Sequence, residues 1–257
     1  MDLIQAAARN QAAWADKQIR AHILECRYSD SLWTCWQSGP ATAIHHQAVT
    51  LTPGSVAETP ALMQEIEQLV VAHEQDQVEV IDWWRVLNLT SLGFELPGNT
   101  GIEPAPYLLR PPGVQPSVAI PPELEIERVR TPETLEEFEE ASFEGFELVG
   151  VYNPGCWHAP ASLDDPDMRY FTGRVQGRAV SVSIGVISDG VVGLFGVATK
   201  PAYRRRGYGT AMTWVALSSA STLPAVLGPS EMGEPLYRRM GFGDFHHFWT
   251  WRRKRSP

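Results

Sequence analysis

Prolines are concentrated in one stretch of this chain, and they limit how the residues around them can fold. Eight of the 20 prolines lie between Pro97 and Pro122. Proline lacks a backbone N–H and is disfavoured inside helices and central strands, so we expect an extended stretch with one short strand over residues 106–110. The sequence therefore predicts two folded parts, residues 1–110 and residues 123–257, joined by a proline-rich linker over residues 111–122.

Hydrophobic periodicity predicts helices and strands in both parts. In the first part it predicts a helix over residues 2–25, strands over 32–36, 44–51 and 78–82, and an amphipathic helix over 59–74. The second part gives the order β-α-β-β-β-α-β-α-β, in which Thr131 is a suitable N-cap and Asp189-Gly190 is typical of a hairpin turn. The whole pattern predicts an α+β fold built on a mixed sheet.

Charge and cysteine content exclude several classes of protein. The 257 residues carry 21 Lys and Arg against 30 Asp and Glu, a net charge of −9, whereas general nucleic-acid binding needs a basic surface. Three cysteines cannot form a disulfide framework, which favours a reducing compartment. No secretory signal is apparent, and no uncharged run is long enough to span a bilayer. We predict a cytoplasmic protein with no nucleic-acid partner, no membrane partner and no metal site.

Residues 197–217, VATKPAYRRRGYGTAMTWVAL, place a turn rich in arginine and glycine between a strand and a helix. The free N–H groups of a first helical turn, together with the helix dipole, attract anions. Gly207 and Gly209 lack a Cβ and let a diphosphate approach the backbone, while arginines add bidentate contacts. The turn taken alone fits a simple strand–helix connection with solvated arginines equally well. Met212 stands where a dinucleotide-binding motif needs its third glycine, and no P-loop is present.

The wider pattern around this turn resembles motif A of the GNAT N-acetyltransferases. The family signature [QR]-x-x-G-x-[GA] is matched by Arg204, Gly207 and Gly209. The downstream segment LGPSEMGEPLYRRMGF resembles the family's motif B, which ends in a Tyr-x-x-x-Gly-Phe element, matched here by Tyr237, Gly241 and Phe242. The resemblance covers about residues 123–257.

The resemblance implies a GNAT acyl-CoA N-acyltransferase fold, with acetyl-CoA or another acyl-CoA as co-substrate. The pyrophosphate would be held by the turn, whose residues are Arg204, Arg205, Arg206, Gly207, Tyr208, Gly209 and Thr210. The pantetheine arm would bond to the main chain near Phe195, Val197 and Thr199, where this strand separates from its neighbour. Ser230 stands where family members often carry Asn, and its hydroxyl can donate or accept a hydrogen bond to the same arm.

The resemblance also places Tyr237 at the family's general-acid position. A phenol with a pKa near ~10 suits protonation of a leaving thiolate, although a tyrosine packed in the core fits the same pattern. The strand that leads into the turn offers no general base. Glu144, His158 and Glu231 are candidates, and deprotonation through water or a substrate that arrives neutral is equally open.

A shift of 148 residues aligns the two parts of the chain without gaps. The order of predicted elements matches, but few positions are identical, so chance remains an alternative explanation. Arg204, Arg206, Gly207, Gly209 and Tyr237 correspond to Val56, Glu58, Thr59, Ala61 and Leu89. We therefore predict a tandem GNAT protein whose first copy is truncated and degenerate.

These observations predict an N-acetyltransferase that moves an acetyl group from acetyl-CoA to a primary amine by direct attack in a ternary complex. A non-catalytic acyl-CoA-binding or regulatory module, and a scaffold without a ligand, are the alternatives. We expect a small-molecule acceptor rather than a protein, and the acidic charge favours a cationic one. The sequence predicts neither the acceptor nor the oligomeric state.

Overall fold

The computed structural model describes residues 2–21, 25–28, 32–36, 46–52, 59–72, 78–96, 104–113, 119–150, 152–155 and 157–253. They form two compact units, one made of Met1–Tyr107 with Phe245–Pro257 and the other of Leu108–Asp244. Within the described part of the chain, no helix combines the length and the apolar character that crossing a membrane requires.

The elements follow the predicted order closely. The helices are α1 (Leu3–Ala21), α2 (Thr59–Ala72), α3 (Pro132–Gly145), α4 (Tyr208–Ser218) and α5 (Glu234–Arg239). The strands are β1 (Glu25–Tyr28), β2 (Leu32–Trp36), β3 (His46–Thr50), β4 (Val78–Asp82), β5 (Ala105–Arg110), β6 (Glu125–Arg128), β7 (Met168–Val175), β8 (Arg178–Ser188), β9 (Val191–Thr199), β10 (Ala225–Leu227) and β11 (Gly243–Arg253). The sequence had not indicated β1.

In the first unit, β1, β2, β3, β4 and β11 form a sheet in that order. β3 and β4 are parallel, and the other neighbours are antiparallel. Apolar residues of α2, including Leu62 and Ile66, are buried with residues of β3 and β4 because their helical spacing puts them on one face. The Asp82 carboxylate ends β4 and accepts hydrogen bonds from the N–H groups of Val86 and Leu87.

In the second unit the sheet order is β5-β10-β9-β8-β7-β6. β9 and β10 are parallel, and the other pairs are antiparallel. α4 packs on the face that carries Ser183 and Gly185, where Ser183 Oγ donates to the carbonyl of Met212. α3 packs on the opposite face, where Gly145 lies against Ala198. Helices therefore cover both faces of the strands that lead to the turn after β9.

Two local predictions are confirmed. Thr131 caps α3: its Oγ1 accepts from the Thr134 N–H, and the Thr134 hydroxyl accepts from the Thr131 N–H. Asp189 and Gly190 have φ angles of 50° and 77°, the left-handed pair that a tight hairpin between β8 and β9 requires.

The boundaries of the compact units differ from the predicted domain boundaries in two places, at β5 and at β11. β5 comes before the predicted linker, yet it pairs with β10, and residues from Leu108 onward lie in the second unit. β11 comes late in the chain, yet it pairs with β4 of the first unit. Of the predicted linker, residues 114–118 lie outside the described part. The prolines mark where the chain leaves β5, and backbone pairing of β5 extends the second unit before that point.

Candidate functional site

β9 separates from β10 partway along its length. The parallel ladder covers Val192 and Gly193, whereas β9 continues to Thr199. On its other side, Val182 faces Ala198 and Ile184 faces Phe195, so β9 contains one extra residue in this interval. Such a bulge bends and twists a strand. Beyond Gly193 there is a gap in the β9–β10 ladder, and an extended ligand could bond to the main-chain groups of β9 that it leaves unpaired with β10.

Gly196 lies inside the bulge and adopts a φ of 56°, a left-handed conformation that favours glycine. Phe195 and Val197, the predicted contacts for a pantetheine arm, flank it and are half-buried. Thr199 ends the strand, and its Oγ1 lies 2.7 Å from Ser181 Oγ. These three residues therefore stand where the strand bends away from β10.

The turn after β9 is shaped by left-handed residues. Arg205 has a φ of 62°, and Gly207, the N-cap of α4, has a φ of 84°. A residue with a Cβ pays about 1–2 kcal/mol for this conformation, which explains Gly207 by backbone geometry alone. The turn brings the first N–H groups of α4 to the same end of the sheet as the gap beside β9.

Gly209 has a different explanation, because it lies within α4. A Cβ at Gly209 would stand 3.5 Å from Leu236 Cδ1 and 3.7 Å from Thr199 Oγ1, both ordinary contacts. Packing therefore does not require glycine, although glycine inside a helix is about 1 kcal/mol less favourable than alanine. A glycine that packing does not require, next to the free N–H groups that begin α4, fits the close approach of a bound diphosphate.

The arginines of the turn divide into two groups. Arg204 donates from Nε to the Thr199 carbonyl at 3.1 Å and from Nη2 to the Gly145 carbonyl at 2.9 Å, and it pairs with Glu147 at 2.7 Å. Its guanidinium thus ties the end of β9 to the end of α3. Arg205 and Arg206 are exposed. These two arginines, rather than Arg204, are placed at the surface of the turn.

The side chain of Tyr208 belongs to the core beneath the turn. It is 1% exposed, packs with Leu124, Val180 and Ala211, and donates its hydroxyl to Glu123 Oε1 at 2.8 Å. Burial, together with the Glu123 carboxylate, raises the pKa of Tyr208. Tyr208, like Gly207, could therefore contact the predicted pyrophosphate only through its main chain.

Tyr237 lies on α5, and its ring packs edge-on against Phe242 with the ring centroids 5.9 Å apart. Burial raises the pKa of Tyr237 to about 12. No described residue forms a hydrogen bond with its hydroxyl. The hydroxyl therefore keeps its proton at neutral pH, and none of the described residues accepts that proton in a hydrogen bond.

Ser230 shapes the approach to α5. Its Oγ accepts from the Gly233 N–H at 3.2 Å, and its carbonyl accepts from the Glu234 N–H at 2.9 Å. A Cβ at Gly233 would stand 3.0 Å from Tyr237 Cε2, so a side chain there would have to move the ring by a few tenths of an ångström. Ser230 is exposed, and its predicted contact with a pantetheine arm remains a prediction.

The candidate bases differ in what surrounds them. Glu144 accepts from Lys200 Nζ at 3.0 Å. His158 is 6% exposed, and its ring packs edge-on against Phe138 and Tyr170. Glu231 lies at the surface. The geometry does not single out any of the three as a base.

Glu139 is the buried carboxylate that sequence reasoning missed. It is 1% exposed and accepts from the N–H groups of Gly155 at 2.5 Å, Trp157 at 2.5 Å and His158 at 3.0 Å, and from the Tyr152 hydroxyl at 3.0 Å. A signal was present, because Glu139 shares the buried helical face of Leu135, Phe138 and Ser142.

Comparison with known proteins agrees with this geometry. Residues 131–242 match the acetyltransferase (GNAT) family. A GCN5-related N-acetyltransferase from Kribbella flavida is 20% identical with a TM-score of 0.64, over 94% of this chain and 95% of that chain. One from Sphaerobacter thermophilus is 15% identical with a TM-score of 0.57, over 88% and 78%. A GNAT-family protein from Novosphingobium aromaticivorans is 18% identical with a TM-score of 0.55, over 95% and 96%. No curated protein matches the sequence.

Proposed function

From the GNAT-type fold and the family match of residues 131–242, which support acyl transfer in general, we propose that this protein is an N-acetyltransferase. It moves an acetyl group from acetyl-CoA, or an acyl group from another acyl-CoA, to a primary amine of a small molecule. One observation carries the proposal. A bulged strand whose ladder with β10 ends early leads directly into a glycine turn, and Leu236, the neighbour of Tyr237 on α5, lies beside Gly209 of that turn.

The second unit would hold the cofactor through its main chain. The N–H groups from Arg205 to Thr210 would bind the pyrophosphate, with Arg205 and Arg206 adding charge. The main chain at Phe195, Val197 and Thr199 would bond to the pantetheine arm as an added strand does. Arg204 would act indirectly, since its guanidinium holds the end of β9 against α3.

The bound cofactor would supply an activated thioester for direct attack by the amine in a ternary complex. Tyr237 is proposed as the general acid that gives its proton to the leaving sulfur. A main-chain N–H of residues 194–198 would donate to the carbonyl oxygen as negative charge develops there. Glu144, His158 and Glu231 remain candidates for the base, beside water and an amine that arrives neutral.

The first unit is proposed to be a degenerate copy of the same fold. In its support, β3, α2 and β4 repeat the order of β9, α4 and β10, and both strand pairs are parallel. Val56 and Glu58, which correspond to Arg204 and Arg206, lie outside the described residues. Leu89 is buried where the second copy has Tyr237, so this copy lacks the acid.

A specific observation also favours a second candidate, a non-catalytic acyl-CoA-binding module. Among the described residues, Glu144 is paired with Lys200, and the His158 ring is packed between aromatic rings. Neither the Glu144 carboxylate nor the His158 imidazole is thus presented as a ready base.

An acetyl-CoA-dependent screen of an amine library, read by mass spectrometry and by release of free thiol, separates the two candidates. Amine-dependent thiol release together with an acetylated product supports the transferase. Saturable binding of CoA without turnover of any amine would favour the binding module. A protein that does not bind CoA at micromolar concentration would contradict both.

A further inference from the structure

Arg110 is a buried cation that forms no ion pair with any described residue. It is 5% exposed and lies at the end of β5, paired in register with Ala225 of β10. Its Nε donates to the Met240 carbonyl at 2.9 Å, but its Nη2 is buried and has no hydrogen-bond partner. An arginine carries its charge at every ordinary pH, and buried charges in proteins are normally paired. No described anionic group therefore neutralises the buried positive charge of Arg110.

Arg110 lines a cavity of about 400 Å³ in the second unit. The guanidinium carbon lies 5.5 Å from the ring centroid of Trp214, which lines the same cavity. Val192 and Leu217 add apolar surface, and Ser221 and Thr222 add hydroxyl groups. A volume of this size falls within the range of small-molecule sites, roughly 300–1,000 Å³.

This cavity is separate from the proposed cofactor cradle. Its walls come from the first residues of β9 and β10 and from the last turn of α4, whereas the cradle lies at the opposite ends of all three elements. At about 1.5 Å per helical residue, Leu217 lies about 12 Å from Gly209 along α4. An occupant of the cavity would therefore leave the cradle open.

We propose that this cavity is a second ligand site, which binds a small organic carboxylate. The carboxylate would pair with the Arg110 guanidinium, whose planar donors match it, and an apolar or aromatic body would lie against Trp214 and Leu217. A single cation suits a monoanion better than a phosphate dianion. The apolar walls favour a ligand with a hydrocarbon body over an inorganic ion.

Calorimetric titration of the full-length protein tests the site without any assay of acetyl transfer. Benzoate and hexanoate are the probes, benzamide and hexanamide are their neutral controls, and inorganic phosphate tests for a general anion site. We expect saturable binding of at least one carboxylate at one site per chain. Its amide should bind roughly ten- to a hundredfold more weakly, since a charged hydrogen bond is lost.

Three variants assign the binding to the cavity. Arg110→Gln removes the charge, and Ser221→Trp fills the mouth from an exposed position that leaves the core intact. Both should reduce carboxylate affinity by at least tenfold, whereas Arg239→Gln, at an exposed arginine of α5, should leave it unchanged. Should Arg110→Gln fail to fold, Ser221→Trp still decides the question.

Saturating CoA should not displace the carboxylate, because the two sites lie at opposite ends of α4. Failure of both carboxylates to bind saturably would overturn the proposal. So would phosphate binding as tight as that of the carboxylate, displacement by CoA, or unchanged affinity in Ser221→Trp. None of these results depends on whether the protein transfers an acetyl group.

Discussion

The two glycines of the α4 turn differ in what each can tolerate, and this difference can be tested. Gly207 needs its left-handed φ, whereas a Cβ at Gly209 would meet only ordinary contacts from Leu236 and Thr199. Gly209→Val should therefore leave the melting temperature within a few degrees of the parent. It should weaken CoA binding by roughly tenfold or more, because the added methyl groups occupy the space for the diphosphate.

Gly243→Val is the matched control for this substitution, since a Cβ at Gly243 has no described atom within 4 Å. Calorimetry should show parental CoA affinity for Gly243→Val. Parental affinity for Gly209→Val would remove the cradle from the turn.

Tyr237 offers a test in which pH serves as the second variable. Tyr237→Phe should lower kcat by roughly ten- to a thousandfold, the range for losing one positioned proton donor, while CoA affinity barely changes. Because burial raises the pKa of Tyr237 to about 12, the hydroxyl keeps its proton throughout the working range. The ratio of parental to variant kcat should therefore be constant between about pH 6 and about pH 10.

Tyr203→Phe, at a half-buried tyrosine of the turn, is the control and should retain parental kcat. A ratio that collapses as pH rises toward about 9 would show a hydroxyl that titrates early, contrary to its burial. Parental kcat in Tyr237→Phe would assign the ring to packing.

At this scale, the sequence indicated residue types better than residue contacts. The turn glycines and Tyr237 were identified from motif spacing, and their roles in holding CoA and in proton transfer are predictions that the variants above test. Arg204 was expected to contact phosphate, but its donors are used by the carbonyls of Thr199 and Gly145 and by Glu147. Thr199 lies in the same segment as the motif, but Gly145 ends α3 and Glu147 follows it. Motif spacing within one segment carries no information about a neighbouring helix.

At the scale of elements, α3 and the loop after it behave as one structure because Glu139 joins them. Glu139→Gln should destabilise the protein by about 1–3 kcal/mol, since an amide offers one acceptor oxygen to N–H groups that now share two. If the loop shapes the acceptor site, the KM for the amine should rise more than the KM for acetyl-CoA. Denaturant unfolding and steady-state kinetics measure the two effects.

Glu140→Gln provides the comparison, because Glu140 is the exposed neighbour on the same helix. It should change neither stability nor KM. Equal stability of the Glu139 and Glu140 variants would mean that the loop does not depend on the buried carboxylate.

Periodicity identified most elements but could not reveal the bulge in β9. An alternating pattern shows which residues share a face, and the run from Val191 to Thr199 is apolar almost throughout, so one extra residue leaves no mark. The bulge becomes visible only in the register against β8, where two residues of β9 face Ser183. The gap beside β9 therefore depends on how β9 pairs with its neighbours, which the sequence of β9 alone does not reveal.

For the whole molecule, the proposal that the first unit is a degenerate copy predicts one CoA per chain. The residues that would form its turn include Val56 and Glu58 in place of arginines, and an acidic residue repels a diphosphate. Titration should give a stoichiometry near one, and Gly209→Val should abolish the whole signal. A second CoA per chain that persists in Gly209→Val would show that the first copy also binds.

The division into units also predicts which fragment folds. A fragment of residues 104–244 contains every strand of the second unit's sheet, including β5. A fragment of residues 123–257 lacks β5, which leaves the edge of β10 uncovered, and retains β11 without β4. We expect the first fragment to be soluble and to bind CoA, and the second to aggregate.

Gel filtration and calorimetry on both fragments test this expectation. A stable, CoA-binding 123–257 fragment beside an insoluble 104–244 fragment would favour the boundaries that proline content suggests. Those boundaries were drawn from composition, which records where helices and strands are interrupted. It cannot record which sheet a strand joins, because pairing partners are distant in sequence.

The sheet of the first unit is complete only when β11 pairs with β4. β4 ends at Asp82, whereas β11 begins at Gly243, so this sheet needs a strand that follows almost the whole second unit in the chain. Contacts between such distant residues slow folding. Until β11 arrives, the edge of β4 is an unpaired strand open to other chains. We therefore expect docking of β11 to be a late step of refolding, and association of chains through the unpaired β4 edge at that step to lower the yield.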